Sequence, residues 1–399
     1  MEINRTHELR NRILFTVFML AVYFLGKGIV LYGVSAGGGT HAGLNPQILM
    51  TMMFSGDRYQ TSIMALGVVP YINASLLVQI VAGFRSSDAR ARISKQRMDR
   101  WMLSVTVVIA AVMAMVQSAD LQYRESAGNP WLVRIVVILE MFGGAMLTYF
   151  LCAENEKRGI GASMPIILVN IITSLEASLN AHHFFRYRNL LLLCAAVILL
   201  TVYMESAIVK VPLQRVSIHN IHADQNYIAY KRNPVGIMPV MFASAVLILP
   251  RYFFRILAYL FPESPSLASI RRNLVLTRPL GSAVYLFIIV ILALVFSFIM
   301  LNPRESARQL QRNGDSIIGV YAGRKTTRYL VSLVFRLSLI SGLLQAACMA
   351  VSLFLSLHHE IPAPLAMAPS AMMILVSILC SLIQEISTYY HYDAYRFFI

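Results

Sequence analysis

Long apolar runs separated by shorter polar segments make up most of this 399-residue chain. A helix needs about 20 mainly apolar residues to cross the hydrocarbon core of a bilayer. Ten runs meet that requirement, and the pattern predicts an all-α polytopic membrane protein with ten transmembrane helices. We place the predicted spans at about 13–33, 61–83, 101–118, 131–153, 162–179, 189–209, 235–258, 280–301, 329–356 and 368–391.

The composition agrees with a membrane location. Hydrophobic residues form 57% of the chain and charged residues 13%, whereas about a quarter of the residues of a soluble domain are charged. The first run is too long for a signal peptide and is not followed by a small-residue cleavage site, so we keep it as a span.

Two apolar stretches, 169 positions apart, repeat one pattern of glycine and proline. They read GVVPYINASLLVQI from Gly67 and GIMPVMFASAVLIL from Gly236. The residues that match are Gly67 and Gly236, Pro70 and Pro239, Ala74 and Ala243, and Ser75 and Ser244. Because glycine and proline both weaken a helix, the stretches predict two helices that bend.

This repeat pairs the second span with the seventh, so the repeating unit contains five spans. Five is an odd number, and the two units must therefore cross the membrane in opposite senses, as inverted repeats do. We predict an N-terminal half of residues 1–186 and a C-terminal half of residues 187–399.

The segment between the first two spans contains a shorter apolar run, LNPQILMTMMFSG, from Leu44 to Gly56. A helix of about twelve residues reaches only about 18 Å, which is too short to cross. The segment, about 43–58, either enters a cavity from one side or lies at the interface as a helix.

Basic residues predict the orientation. With a cytoplasmic N-terminus, 22 of the 34 lysines and arginines lie on the cytoplasmic face and 10 on the other. The positive-inside rule then places both termini in the cytoplasm. Two cytoplasmic loops, about 210–234 and 302–328, are longer than a turn requires. Their charges either serve topology alone or present a basic surface to a cytosolic partner.

Candidate residues for catalysis or metal binding are few. The cysteines have no CxxC spacing, which indicates neither a disulfide nor zinc, and His182-His183 and His358-His359 lack a carboxylate at helical spacing. GRKTT, from Gly323 to Thr327, lacks the first glycine of a phosphate-binding loop. We therefore expect no enzyme, no metal and no cofactor.

A small-solute secondary transporter with inverted repeats is an alternative, because such proteins also use broken helices. It would need ionisable groups near the middle of its spans. The candidates are Lys27, Glu140, Glu176, Glu205, Arg336 and Glu385. Most of them lie near predicted span ends and form no obvious cluster.

Several motifs together give the chain a resemblance to SecY, the channel subunit of the bacterial protein translocase. FSGDRYQTSIMALGVVPYINASLLVQI (54–80) resembles its plug and second span. Further resemblances, in the same order as in the family, are RARISKQRMDRW (90–101), EKRGIGASMPIIL (156–168), NPVGIMPVMFAS (233–244) and LNPRESARQLQRNG (301–314). Ala162 and Ser163 stand where the family usually has Asn-Gly.

The resemblance implies a clamshell of two halves around a pore, with the second and seventh spans as a lateral gate that opens to lipid. Such a channel in the bacterial cytoplasmic membrane passes unfolded, signal-peptide-bearing proteins. The implied pore ring is Val68, Ile72, Leu168, Met241 and Ile374. The implied gate residues are Gly67, Pro70, Asn73, Ser75, Gln79, Gly236, Pro239 and Ser244. Bending at the prolines would let the gate helices move apart. The apolar helix of a signal peptide would then replace the weak polar contacts between them.

The resemblance also implies partners: a SecA-type motor ATPase, small single-span SecE-like or accessory subunits, the signal peptide and unfolded polypeptide substrate, and membrane lipid. The implied motor-docking residues are Arg304, Arg324, Lys325 and Arg328. Tyr321 stands where the family has an arginine, and the external loops and C-terminal tail are short. These departures make a standard ribosome or motor contact doubtful. They favour an accessory SecY that works with a dedicated second SecA to export specialised cell-surface glycoproteins.

Overall fold

The computed structural model describes most of the chain. The described residues are 8–34, 61–83, 94–119, 121, 123–124, 129–181, 187–215, 227–243, 246, 279–321, 323–357, 365 and 367–394. The predicted plug and Ser244 lie outside them, as do both histidine pairs and the predicted seventh span beyond residue 246.

Helices dominate the described residues. They are α1 Glu8–Gly28, α2 Val69–Gly83, α3 Lys95–Ser118, α4 Pro130–Arg158, α5 Met164–Ala181, α6 Arg188–Ser206, α7 Pro279–Leu301, α8 Pro303–Asn313, α9 Arg324–Leu357 and α10 Ala368–Ala394. Residues 238–243 form a further helical segment. In the described part of the chain, seven helices are long and apolar enough to cross a membrane, while α2 and the first part of α5 are shorter apolar helices.

The second predicted span is only partly helical. Residues 63–68 form turns, and α2 begins at Val69 rather than at residue 61. Gly67 has φ 50°, in the left-handed region that interrupts a helix. The remaining 15 residues extend about 22 Å, less than the bilayer core. The helix therefore begins inside the predicted span.

α2 and the segment 238–243 run in opposite directions. The end of α2 lies beside the end of α7, since a Cβ on Gly83 would lie 2.5 Å from Ile299 Cδ1. The start of α2 lies at the other end of the molecule, where Ser62 pairs with Val30 beyond the end of α1. Segment 238–243 instead begins close to the end of α6, on the same side as the ends of α2 and α7. This arrangement is the one that an inverted repeat requires.

The two long polar loops fold together into a small sheet, which the sequence analysis did not predict. Strands β1 Ile208–Arg215 and β2 Tyr227–Lys231 come from the first loop and β3 Asp315–Ile317 from the second. The order is β2-β1-β3, and both pairings are antiparallel, with Val211 opposite Ile228 and Leu213 opposite Ile317.

This sheet has its own apolar core, separate from the core of the helical bundle. Val211, Tyr230 and Ile317 of the sheet pack with Ala307 and Leu310 of α8 and with Leu330, Val334 and Leu337 of α9. Burial raises the pKa of the Tyr230 phenol. We call the unit formed by β1 to β3, α8 and residues 324–337 the lobe.

Polar side chains inside the helical bundle find partners across helices. Asn170, which interrupts the apolar pattern of the fifth span, is buried on α5 and hydrogen-bonds the Tyr23 hydroxyl of α1 at 3.0 Å. The four cysteines lie in α4, α6, α9 and α10 and are unpaired. The bundle is therefore held by apolar packing with a few satisfied polar contacts.

Candidate functional site

The two glycine–proline stretches begin their helices with one local geometry. Gly67 and Gly236 have φ 50° and 64°, and each lies two residues before its helix. The first-turn hydrogen bonds also correspond. The Ile72 N–H donates to Val68 O at 3.0 Å, and the Met241 N–H donates to Ile237 O at 3.2 Å.

The position of the prolines corrects one prediction. Pro70 and Pro239 are each the second residue of a helix, where no intrahelical partner exists for the backbone nitrogen. They therefore remove no helical hydrogen bond and cause no bend. The matching Gly-x-x-Pro pattern marks a helix start inside each predicted span.

Apolar contacts surround the start of α2. Met64, Leu66 and Val68 are each at most 1% exposed. A Cβ on Gly144 of α4 would lie 2.1 Å from the Ile63 carbonyl oxygen, so only glycine permits this approach. The Thr148 hydroxyl contacts Met64 Sδ at 3.3 Å. Close packing fixes this turn.

Buried hydrogen bonds surround the start of segment 238–243. The Asn233 side-chain amide donates to the Glu205 carboxylate at 2.9 Å. Asn233 Oδ1 accepts from the Ser341 hydroxyl at 2.6 Å and from Gln345 Nε2 at 3.1 Å. Gln345 Nε2 also donates to Gly236 O at 2.8 Å. The Ser377 hydroxyl donates to the same Glu205 oxygen.

The sequence alone does not predict this network, although it carries one signal for it. From the sequence, Glu205 is only a candidate transporter residue, and Asn233, Ser341 and Gln345 have no predicted role. Ser341 and Gln345 are four residues apart in an apolar span, which places them on one helix face. Polar residues so spaced inside a span indicate a contact across helices.

The predicted ring residues all lie in the apolar core of the bundle. Val68, Ile72, Met241 and Ile374 are buried there, and Leu168 is partly buried against it. They come from α2 and the turn before it, α5, segment 238–243 and α10. Because this core holds many other residues, a ring stays a prediction.

The predicted polar gate residues on α2 differ in their surroundings. Asn73 is fully buried, with its amide nitrogen 3.9 Å from Met113 Sδ and, within the described residues, no hydrogen bond to Oδ1. The Ser75 hydroxyl donates to the Ile72 carbonyl of its own helix at 2.8 Å. Gln79 is half-buried. An unsatisfied buried oxygen costs about 1–3 kcal/mol, which a rearrangement of the helix could recover.

The four predicted docking residues all lie in the lobe with exposed side chains. Arg304 is on α8, and Arg324, Lys325 and Arg328 are in the first turns of α9. The loop before α9 carries Tyr321, whose side chain is 77% exposed and stacks under the Lys325 ammonium at 4.6 Å.

These cations lie at the unfavourable end of α9. A helix N-terminus carries a partial positive charge, which disfavours each nearby cation by about 0.3–1 kcal/mol. No acidic residue occupies the first turn of α9. These cations therefore do not stabilise α9 through the helix dipole.

Three of the candidate transporter residues, Glu140, Glu205 and Glu385, have different hydrogen-bond partners. Glu140 accepts from the Tyr32 backbone N–H at 2.9 Å, and Glu385 accepts from the Gly161 N–H at 3.2 Å. Glu205 lies in the polar network described above. Within the described residues, no group of histidine, cysteine and carboxylate side chains could hold a metal ion.

Comparison with known proteins agrees with this geometry. A family model described as SecY matches residues 62–383. The chain is 26% identical to the accessory Sec system protein translocase subunit SecY2 of Leuconostoc gelidum subsp. gasicomitatum, covering 96% of this chain and 95% of that one. It is 25% identical to the protein translocase subunit SecY of Lactococcus lactis subsp. lactis, with coverage of 96% and 94%.

A solved structure described as that of a protein conducting channel has the same fold. Its TM-score is 0.68 at 16% identity, and the match covers 96% of this chain and 93% of the other. The likeness confirms the predicted fold class, a polytopic helical membrane protein of the SecY type.

Proposed function

This chain belongs to the SecY family, and we propose that it is the channel of a protein-export translocase. It passes unfolded, signal-peptide-bearing polypeptides across a bacterial cytoplasmic membrane and opens sideways to lipid. The proposal rests on α2 and segment 238–243. Both begin with the same local geometry, and they run in opposite directions, as the two sides of a gate would. The channel performs no covalent chemistry itself.

Gate opening separates α2 from the C-terminal half. A Cβ on Gly83 of α2 would lie 2.5 Å from Ile299 Cδ1 and 2.7 Å from Ile299 Cγ1 of α7. The missing side chain on Gly83 lets the two helices approach here. Rigid helices that meet through small residues can part without leaving a side chain interlocked.

A disulfide across this contact tests the gate. In a background with the four native cysteines replaced by serine, Gly83→Cys with Ile299→Cys should crosslink under oxidation and stop export, and reduction should restore it. The control is Gly342→Cys with Ala293→Cys, which joins α9 to α7 where the Cβ atoms would lie 2.9 Å apart. This second crosslink lies within one half and should leave export intact. Export that continues through a complete Gly83–Ile299 crosslink would exclude this gate.

The lobe binds the cytosolic motor, a SecA-type ATPase. This places the lobe and both termini in the cytoplasm, in agreement with the distribution of basic residues. The exposed cations of α8 and α9 attract an acidic surface on the motor, and Tyr321 supplies an aromatic anchor. A single-span SecE-like subunit completes the channel.

Charge reversal tests the docking site. Arg324→Glu, Lys325→Glu and Arg328→Glu together change the local charge by about six units and should weaken motor binding, most strongly at low salt, where screening is weakest. The control reverses Lys95, Arg97 and Arg100 at the start of α3, an equal change outside the lobe. Equal losses in both variants would assign the effect to net charge rather than to the lobe.

Tyr321 supports an accessory role, in which a dedicated second SecA serves a narrow set of cell-surface glycoproteins. Tyrosine cannot make the bidentate contact with a carboxylate that arginine makes. Tyr321→Arg should therefore weaken binding to the dedicated motor and strengthen binding to a housekeeping SecA, as measured with both purified motors. The opposite ranking would favour a housekeeping channel.

A further inference from the structure

The buried network at the start of segment 238–243 connects four parts of the C-terminal half. Glu205 comes from α6, Asn233 from the link after β2, Gln345 from α9 and Ser377 from α10. All four are at most 7% exposed. The network therefore connects segment 238–243 to three helices, α6, α9 and α10.

Stability alone does not explain why this network is polar. Glu205 is 2% exposed, and its carboxylate accepts hydrogen bonds from two neutral donors, the Asn233 amide and the Ser377 hydroxyl. Gln345 Oε1 has no hydrogen-bond partner within the described residues. Apolar side chains of similar volume at such positions are often equally or more stabilising. The polar network therefore points to a role that apolar packing cannot serve.

The network also binds the backbone just before segment 238–243. Gln345 donates to the carbonyl of Gly236, the residue in the left-handed conformation. A Cβ on Gly236 would lie 3.6 Å from Glu205 Oε1. Any rotation of segment 238–243 about its start must therefore move Gly236 relative to both side chains.

Two connections lead from this network to the lobe. β2 ends at Lys231, two residues before Asn233, and the Arg232 N–H donates to Ala207 O at 2.9 Å. α9 begins at Arg324 in the docking surface and carries Gln345 21 residues later, which is about 32 Å along one helix. A movement of the lobe would therefore displace both Asn233 and Gln345, the two residues that hold the start of segment 238–243.

We propose that Glu205, Asn233, Ser341 and Gln345 form a latch that holds segment 238–243 in the position where Met241 is buried, and that movement of the lobe releases it. These are positioning residues for the gate. The inference rests on the proposed channel function, because a latch needs a gate to hold.

The test measures resting ion conductance of the purified protein in planar bilayers. Gln345→Leu removes the bonds to Asn233 and Gly236 and should raise the fraction of open channels about thirtyfold, roughly a factor of five for each of the two buried hydrogen bonds. Ser341→Ala removes one bond and should raise it less. Glu205→Gln keeps an acceptor oxygen for Asn233 and should stay near the parent, whereas Glu205→Leu should leak.

Ser352→Ala is the matched control. It removes another buried bond between α9 and α10, in which the Ser370 N–H donates to Ser352 Oγ at 3.1 Å, away from the gate segment. It should lower thermal stability as much as Ser341→Ala without raising conductance. Equal conductance in all these variants would overturn the latch.

A reference variant separates failure of the latch from failure of the channel. Ile72→Ser with Met241→Ser should hydrate the predicted ring and conduct. Should this variant conduct while Gln345→Leu and Glu205→Leu do not, the channel stands and the latch is wrong. Should none conduct, also after deletion of residues 43–58, both proposals fall.

Discussion

The starts of α2 and of segment 238–243 share a backbone conformation but differ in what holds it. Around the first, Met64 and Leu66 of the turn are buried, and Gly144 of α4 approaches the Ile63 carbonyl closely. Around the second, Asn233 and Gln345 hold the turn through hydrogen bonds. Packing resists any displacement and has no alternative partner, whereas hydrogen bonds can exchange partners. In the proposed gate, α2 would then be the fixed side, and the start of segment 238–243 would be the side that can switch.

The largest expected effect breaks the packed start. Gly144→Ala places a methyl group against the Ile63 carbonyl and should destabilise the protein by about 3 kcal/mol, since backbone must move. Gly143→Ala, where a Cβ would meet no atom within 4 Å, should instead stabilise by roughly 0.5–1 kcal/mol through helix propensity. Thermal unfolding of both variants in detergent checks the difference. Similar midpoints would show that α4 does not fix this turn.

The next effect tests whether the two glycines are equivalent. Gly67→Ala and Gly236→Ala should each cost about 1–2 kcal/mol, because alanine is disfavoured in the left-handed region. Asparagine tolerates that region and should cost less at Gly236. At Gly236 the cost is conformational, because a Cβ there meets Glu205 only at ordinary contact distance. A neutral Gly236→Ala in thermal unfolding would mean that the backbone at this start has another conformation.

A third helix start extends the comparison with a gain. Before α5, Ala162 has φ 46°, although it is not glycine. Ala162→Asn should stabilise by roughly 0.5–1 kcal/mol, since asparagine adopts this conformation more readily. Ser163→Asn, at a neighbour without positive φ, serves as control and should bring no gain. Loss of stability in Ala162→Asn would contradict the assigned conformation.

The smallest effect distinguishes helix starts from kinks. Pro70→Ala and Pro239→Ala should each destabilise by roughly 0.4–1 kcal/mol, because proline limits the unfolded chain and fits the first helical turn. Replacing a proline inside a helix would have the opposite effect. It restores a backbone hydrogen bond and so recovers part of the cost of about 3 kcal/mol that proline has there. A clear rise in the unfolding midpoint of either variant would restore the bend that the sequence pattern suggested.

The sequence was informative wherever the signal was local. Nine predicted spans overlap described helices, because about 20 apolar residues leave few other structures in lipid. The glycine and proline repeat identified the matched turns but not their geometry. Whether Pro70 bends a helix or begins one depends on the conformation of Gly67, which the sequence leaves open.

Features that depend on distant contacts could not be predicted. β3 has only three residues, and it becomes a strand by pairing with β1, about 100 positions earlier. Asn233 resembles an ordinary loop residue until α6 and α9 bring Glu205 and Gln345 to it. In both cases the partner is supplied by the helical bundle, and no local pattern encodes it.

The separation of β1 from β3 along the chain has a consequence for biosynthesis. β1 and β2 leave the ribosome before the seventh and eighth spans, and β3 follows them. At about 5–20 residues per second, β1 waits roughly 5–20 s for its last partner. A chain truncated before Asp315 lacks both β3 and the docking cations of α9, and it should fail to bind the proposed motor, which a binding assay on such chains can check. Completion of the lobe thus reports that the eighth span has been synthesised, and a motor that recognises the finished sheet is kept from half-made channels.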